Sequence, residues 1–324
     1  MPSKVPARVE IANRIAESAD ADVLLFNAGF NRPVDNSIIK LLHSRRRRSN
    51  VILLLISGGG DADVAYRISR ALQENYQQFS AFISGFCKSA GTLCALGAHE
   101  IVFSEFGELG PLDVQFHRKD ELGELSSGLV VTEALNHLQA QAFGVFEQHM
   151  LNIKTHSFGQ VSFKLAAELA AKLTTGLFQH IYCQIDPVQI GELGRAMAIA
   201  RDYGKRLLAK SGNFTNDTLN LLVESYPSHG FVIDGREANE IFKRVRQPTA
   251  DEQELADTLG NIALLPGSST QIEYLSTDVS SHQADKNETV PVQDQPPRSP
   301  ANAASARASS KGRTAGNSGG AEAA

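Results

Sequence analysis

Two short stretches have the residue types and spacing of a nucleophilic site. The first is Ser57-Gly58-Gly59-Gly60, directly after the apolar run Val51 to Ile56. Three consecutive glycines are costly in conformational entropy and let a backbone pass very close to another group. At a strand-to-helix junction their N–H groups can bind an anion or an oxyanion, although a tight turn uses the same residues. The second stretch is Lys88-Ser89-Ala90-Gly91-Thr92. A Ser at the first turn of a helix, followed by Ala and Gly, has the logic of a nucleophile elbow. The hydroxyl stands exposed and the next N–H helps stabilise a tetrahedral intermediate. An ordinary Ser N-cap has the same pattern.

The elements around these stretches alternate. Asp22 to Ala28 is a short apolar run, and Asn36 to His43 has helical spacing. Val51 to Ile56 is a continuous apolar strand of the kind buried on both faces in a parallel sheet. Asp61 can cap a helix that carries Val64, Ile68 and Leu72 on one face. Phe79 to Ser84 reads as a third strand, Ser89 to about Ala98 as a helix of small residues, and Glu100 to Phe103 as a fourth strand. This succession predicts an α/β fold with a mainly parallel sheet and right-handed crossovers. The second half is mostly helical: Val130 to about Ile153, Phe163 to about Ile185, and Pro187 to about Leu208. A short strand, Phe231 to Ile233, and a last helix, Arg236 to Val245, are expected after them.

Composition narrows the function classes. The chain has 324 residues, a formal charge of −5, no Trp and 3 Cys. Mild acidity gives no reason to expect a nucleic-acid or anionic-membrane partner. Three cysteines (Cys87, Cys94 and Cys183), none in a C-x-x-C pair, read as buried free thiols of a reducing compartment. No apolar run reaches the ~18 residues needed to span a bilayer, and Met1 to Asp22 has no apolar export core. A cytoplasmic protein is the expectation. The run Arg45 to Arg48 falls at a predicted helix end, where cations complement the dipole. Ser276 to Ala324 has no large apolar residue beyond Val279, Val290 and Val292, so a disordered tail is expected there. No Gly-Lys-Ser/Thr ending, G-x-G-x-x-G run, H-E-x-x-H or Cys/His cluster occurs, so neither cofactor nor metal is expected.

Taken together, the glycine loop and the Ser-Ala-Gly helix start resemble the Clp protease and crotonase superfold. More specifically they resemble serine peptidases related to signal peptide peptidase A, and above all the serine dehydrogenase proteinase family. The resemblance rests on Ser57 to Gly60, on Lys88 to Ile101, on Leu109-Gly-Pro-Leu-Asp-Val-Gln115, and on Tyr226 to Ala238. It implies a Clp/crotonase-like fold of repeated β-β-α and βαβ units around a mainly parallel sheet. The implied domain spans residues 21–250, between an N-terminal extension (1–20), a C-terminal extension (251–275) and the tail (276–324). It also implies a homo-oligomer.

By position, the resemblance makes Ser89 the nucleophile, with the N–H groups of Gly59 and Ala90 as the oxyanion hole. Gly58, where relatives often carry Pro, and Gly60 would border the substrate. A Ser hydroxyl needs a base to take its proton. The Clp protease keeps its His in the segment that here reads Gly110-Pro-Leu-Asp113, and signal peptide peptidases use a Lys downstream; between Val130 and Leu151 this chain has no Lys. A rearranged triad is therefore expected, with His229 as base and Asp113 as orienting carboxylate. His117, Lys88 and Lys154 stand as alternative bases. The implied activity is peptide-bond hydrolysis. An inactive oligomeric scaffold and an acyl-CoA enzyme of crotonase type are the competing readings.

Overall fold

The computed structural model of the chain describes residues 5–112, 115–117 and 125–277. The first helix, α1 (Ala7–Ala19), leads into strand β1 (Ala21–Asn27). Then come α2 (Val34–Arg45), β2 (Asn50–Ile56), α3 (Ala62–Asn75), β3 (Gln78–Ile83), β4 (Phe86–Cys87), α4 (Ala90–Leu96), β5 (Glu100–Phe103) and β6 (Glu108–Leu109). A hairpin of β7 (Gln115–His117) and β8 (Leu125–Ser127) follows. The helical half comprises α5 (Gly128–His156), α6 (Phe163–Tyr182), α7 (Pro187–Ser211), α8 (Asn216–Glu224) and α9 (Gly235–Ile241). The described chain closes with β9 (Val245–Arg246), α10 (Ala250–Leu259), α11 (Asn261–Leu264) and β10 (Gln271–Tyr274).

Six strands form the main sheet in the order β10-β1-β2-β3-β5-β9, all parallel except β10 on β1. The order from β1 to β9 advances in one direction, and right-handed crossovers then put α2, α3 and α4 on one face. Leu24, Phe26, Leu53 and Leu55 point into that layer with Ile38, Ile68, Leu72 and Leu93. Val23, Leu25, Ile52 and Leu54 point the other way, and α1, α10 and α11 cover them. A sheet buried on both faces explains the unbroken apolar run in β2.

The α/β class with a mainly parallel sheet, expected from the alternation, is what forms. β3 is followed by the short strand β4 before α4, a β-β-α unit of the expected kind, while β2 is followed by isolated bridges at Ser57 and Gly60 before α3. The segments flanking residues 21–250 are built into the same layers: α1 and α10 share one face, and β10 extends the sheet edge. Of the predicted tail, only Ser276 and Thr277 lie among the described residues.

Three local expectations need correction. Phe231 to Ile233 does not form a strand; only Ile233 makes an isolated antiparallel bridge, to Leu109. The helix expected to reach Val245 ends at Ile241, and Val245 joins the sheet as β9 instead. Asp61 occupies the N-cap of α3 without a side-chain cap bond. The four-arginine run does follow a helix end, and it also closes over a buried carboxylate. The Arg47 and Arg48 N–H groups donate to Asp22 Oδ2, and Arg46 lies over the Tyr76 ring.

The long helices of the second half are less covered. On α6, Leu165, Leu169, Leu173, Leu177 and Ile181 recur every four residues and are all exposed, while Ala166 and Ala170 face inward. Phe158 at the α5–α6 turn is 93% exposed. No helix among the described residues is long and apolar enough to cross a membrane.

Candidate active site

The candidate site lies at the carboxyl ends of β2 and β3, neighbouring parallel strands. Such ends are where open α/β sheets gather loops and helix starts. A row of short pairings binds the loops together there. Ser57 bridges Cys87, β4 pairs with β6, and Leu109 bridges Ile233. The Ser57 N–H donates to Phe86 O and the Lys88 N–H to Ser57 O, both at 2.9 Å. The glycine loop and the Ser89 turn are thus fixed to one another by backbone.

Ser89 sits at the tip of a sharp turn. The Gly91 N–H donates to Lys88 O at 2.9 Å, and Ser89 has φ 53° and ψ −114°. These are the angles of the first central residue of a II′ turn, a place that ordinarily takes Gly. A side chain held there costs roughly 1–3 kcal/mol and persists only when its surroundings enforce it. The following residues continue at once as α4, so the hydroxyl projects from a strand-turn-helix corner. The Ser89 side chain is half-buried and makes no cap bond to α4, which sets aside the ordinary N-cap reading.

Gly59 faces this side chain. A Cβ added to Gly59, at φ 111°, would lie 3.0 Å from Ser89 Cβ and 3.4 Å from Ser89 Oγ. The Gly59 N–H donates to Ser57 Oγ at 3.1 Å, so an oxyanion would take it over by displacing that hydroxyl. The Ala90 N–H is one of the unpaired donors of a first helical turn. Gly58 is exposed, with open space where its side chain would be. Gly60 pairs with Phe30, whose backbone would stand 2.6 Å from an added Cβ, so packing alone requires glycine there.

The segment after β6 is tied to the same corner. Thr92 Oγ1 donates to Gly110 O at 2.8 Å and accepts from the Gly110 N–H at 3.2 Å, while the Leu112 N–H donates to Leu222 O. Asp113, the expected orienting carboxylate, lies outside the described residues, which resume at Gln115. His229, the expected base, is half-buried with its Nδ1 shielded from solvent. Its loop is held by the Tyr226 hydroxyl, which donates to Glu237 Oε1 at 2.6 Å, and by the Tyr226–Phe231 ring contact. Burial, then the Glu237 hydrogen bond, pushes the Tyr226 phenol well above its ordinary range.

Two of the alternative bases, Lys88 and Lys154, are engaged elsewhere. Lys88 is buried, and its Nζ donates to Leu109 O and Phe231 O and pairs with Glu108. Lys154 Nζ donates to Val161 O at 2.7 Å in the α5–α6 turn. His117 is the last residue of β7. His99 accepts the Phe79 N–H on Nδ1, and burial with the nearby Arg244 holds its pKa below the usual imidazole value. Its role is structural. Cys87 and Cys94 are buried free thiols as expected, and burial pushes Cys94 up to about 12, whereas Cys183, at the end of α6, is exposed rather than buried. Sequence reasoning missed the Lys88 contacts, because nothing in the spacing shows that Leu109 and Phe231 converge on it.

No protein-family model and no curated protein matches this chain. Among solved structures, it is similar to a mutant of 1510-N membrane-bound stomatin-specific protease, at 13% identity over 73% of this chain and 82% of that one, with a TM-score of 0.42. A second mutant of that protease, in complex with a substrate peptide, is 16% identical over 73% of this chain and 97% of its own, with a TM-score of 0.27.

Proposed function

We propose that this chain is a serine peptidase-like hydrolase. Ser89 Oγ attacks a peptide carbonyl while His229 takes the hydroxyl proton and Asp113 orients the imidazole. The Gly59 and Ala90 N–H groups hold the oxyanion. The proton passes to the leaving amine, and water then releases the acyl group from Ser89. Gly58 and Gly60 border the strand of substrate. The catalytic domain of this reading is residues 21–250.

The observation that carries the reading is the Ser89 backbone, φ 53° and ψ −114°, opposite the glycine loop. A strained corner that presents a hydroxyl has no packing purpose that Gly would not serve better. The test is hydrolysis of peptide and activated-ester probes by the purified chain. Turnover that Ser89→Ala abolishes supports the reading. Turnover that survives Ser89→Ala refutes it.

A second reading, an inactive scaffold, is favoured by one contact: the Gly59 N–H is already taken by Ser57 Oγ. Ser57→Ala frees that donor. If neither the wild type nor Ser57→Ala turns over any probe, the scaffold reading stands. In both readings the chain self-associates through the exposed α6 stripe, since contiguous apolar surface of this kind is unusual on a monomer. The buried thiols Cys87 and Cys94 suit a reducing, cytoplasmic setting.

A further inference from the structure

Lys88 is a buried cation that the proposed mechanism does not use. It is 4% exposed, and it immediately precedes Ser89. Three acceptors meet its three donors: Glu108 Oε2 at 2.9 Å, Leu109 O at 3.0 Å and Phe231 O at 3.2 Å. Its stem packs against Gly110, where an added Cβ would stand 2.7 Å from Lys88 Cδ. The Phe86 ring lies 5.5 Å from the ammonium. An ammonium is a compact, strongly hydrated charge, and burying it without full pairing is expensive. A site this completely wired fixes whatever supplies its acceptors.

Those acceptors come from two separate segments. Glu108 and Leu109 lead into Gly110 to Leu112, the run that ends before Asp113. Phe231 follows His229 by two residues. Among the described residues one backbone bridge joins the two segments, Leu109–Ile233, with 3.0 Å bonds in both directions, within a shared apolar layer. One bridge is a weak join between segments more than a hundred residues apart in sequence. Lys88 adds a donor to each side of it and anchors both to the residue before the nucleophile.

We infer that Lys88 is a positioning residue: it holds the His229 loop and the Glu108–Leu112 segment in register with Ser89. The inference rests on the reading of Ser89 as nucleophile and His229 as base. Lys88 itself touches no reacting atom. Its ammonium is directed at Leu109 O, Phe231 O and Glu108.

The test compares wild type, Lys88→Met and the double variant Lys88→Met with Glu108→Gln. Lys88→Met alone leaves the Glu108 carboxylate without its ammonium and tests folding as much as position. The double variant removes both charges, leaves Phe231 O without the Lys88 donor and leaves Leu109 O with the Ile233 N–H alone. Two quantities are measured: the rate at which a fluorophosphonate labels Ser89, and hydrogen exchange at the Leu109 and Ile233 amides. Exchange at amides of β1 and β2 serves as the internal reference.

The expected result is a double variant with a cooperative thermal transition and wild-type exchange in β1 and β2. Exchange at Leu109 and Ile233 rises at least tenfold, and Ser89 labelling slows at least tenfold. Wild-type labelling in the double variant overturns the inference. So does slowed labelling with unchanged exchange at the two amides, or loss of the cooperative transition, which would make Lys88 a folding residue. A wild-type chain that is never labelled at Ser89 refutes the nucleophile reading instead. The exchange arm then still decides whether Lys88 joins the two segments.

Discussion

Replacing Ser89 with Gly should make the protein more stable and wholly inactive, whereas Ser89→Ala should make it inactive without changing stability. Both substitutions remove the hydroxyl, which makes no cap bond to α4. They differ in the Cβ, which is what makes φ 53° and ψ −114° unfavourable. Relief of that conformation contributes roughly 1–3 kcal/mol. Against it stands the greater freedom of Gly in the unfolded chain, about 0.5–1 kcal/mol. The net expectation is about 1 kcal/mol of added stability for Ser89→Gly relative to Ser89→Ala. For a folded unit of this size that is a rise in Tm of about 2–4 °C. Calorimetry and urea unfolding of the two variants, side by side, measure it. A Gly variant no more stable than the Ala variant refutes the claim that strain is stored at the nucleophile.

Gly59→Ala should abolish probe turnover and cost about 1–3 kcal/mol, because its Cβ would press on Ser89 from a left-handed backbone; equilibrium unfolding with an activity assay reads both. His99 should titrate below its ordinary value, since burial and then Arg244 favour the neutral ring. A depressed folded-state pKa stabilises at pH above the unfolded value near 6.5 and loses that contribution as pH falls. Unfolding free energy should therefore decline from pH 7 towards pH 5, by at most ~1.4 kcal/mol per unit from this group, and His99→Gln should flatten that decline. If α6 carries the proposed self-association, Leu173→Glu combined with Leu177→Glu should shift the chain from oligomer to monomer in sedimentation velocity without lowering Tm; a monomeric wild type or unchanged association would refute that proposal.

Much of the scaffold was legible because its signals are local. The apolar run Val51 to Ile56 and the glycines after it have one reading, and β2 with its loop follows it. Gly59 and Ser89 were legible as a pair for the same reason: each ends a strand and precedes a helix. What escaped is what depends on distant partners. Phe231 to Ile233 has β-branched and aromatic residues, yet only Ile233 finds a partner, so propensity there yields a single bridge. The helix α1 was missed because its apolar residues, Ile11, Ala12, Ile15 and Ala16, are few; packing against α10 stabilises it. Lys88 reads in sequence as a candidate base beside a nucleophile. In the fold its charge is directed at Leu109, Phe231 and Glu108, contacts that only tertiary structure creates.

The central claim is that the Ser89 hydroxyl is an activated nucleophile. Its most direct test is mass-spectrometric mapping of the adduct formed when the native protein meets a fluorophosphonate. The account predicts a single stoichiometric adduct on Ser89, absent after denaturation and absent in Ser89→Ala. An unmodified Ser89 in a protein that is folded and otherwise intact contradicts it.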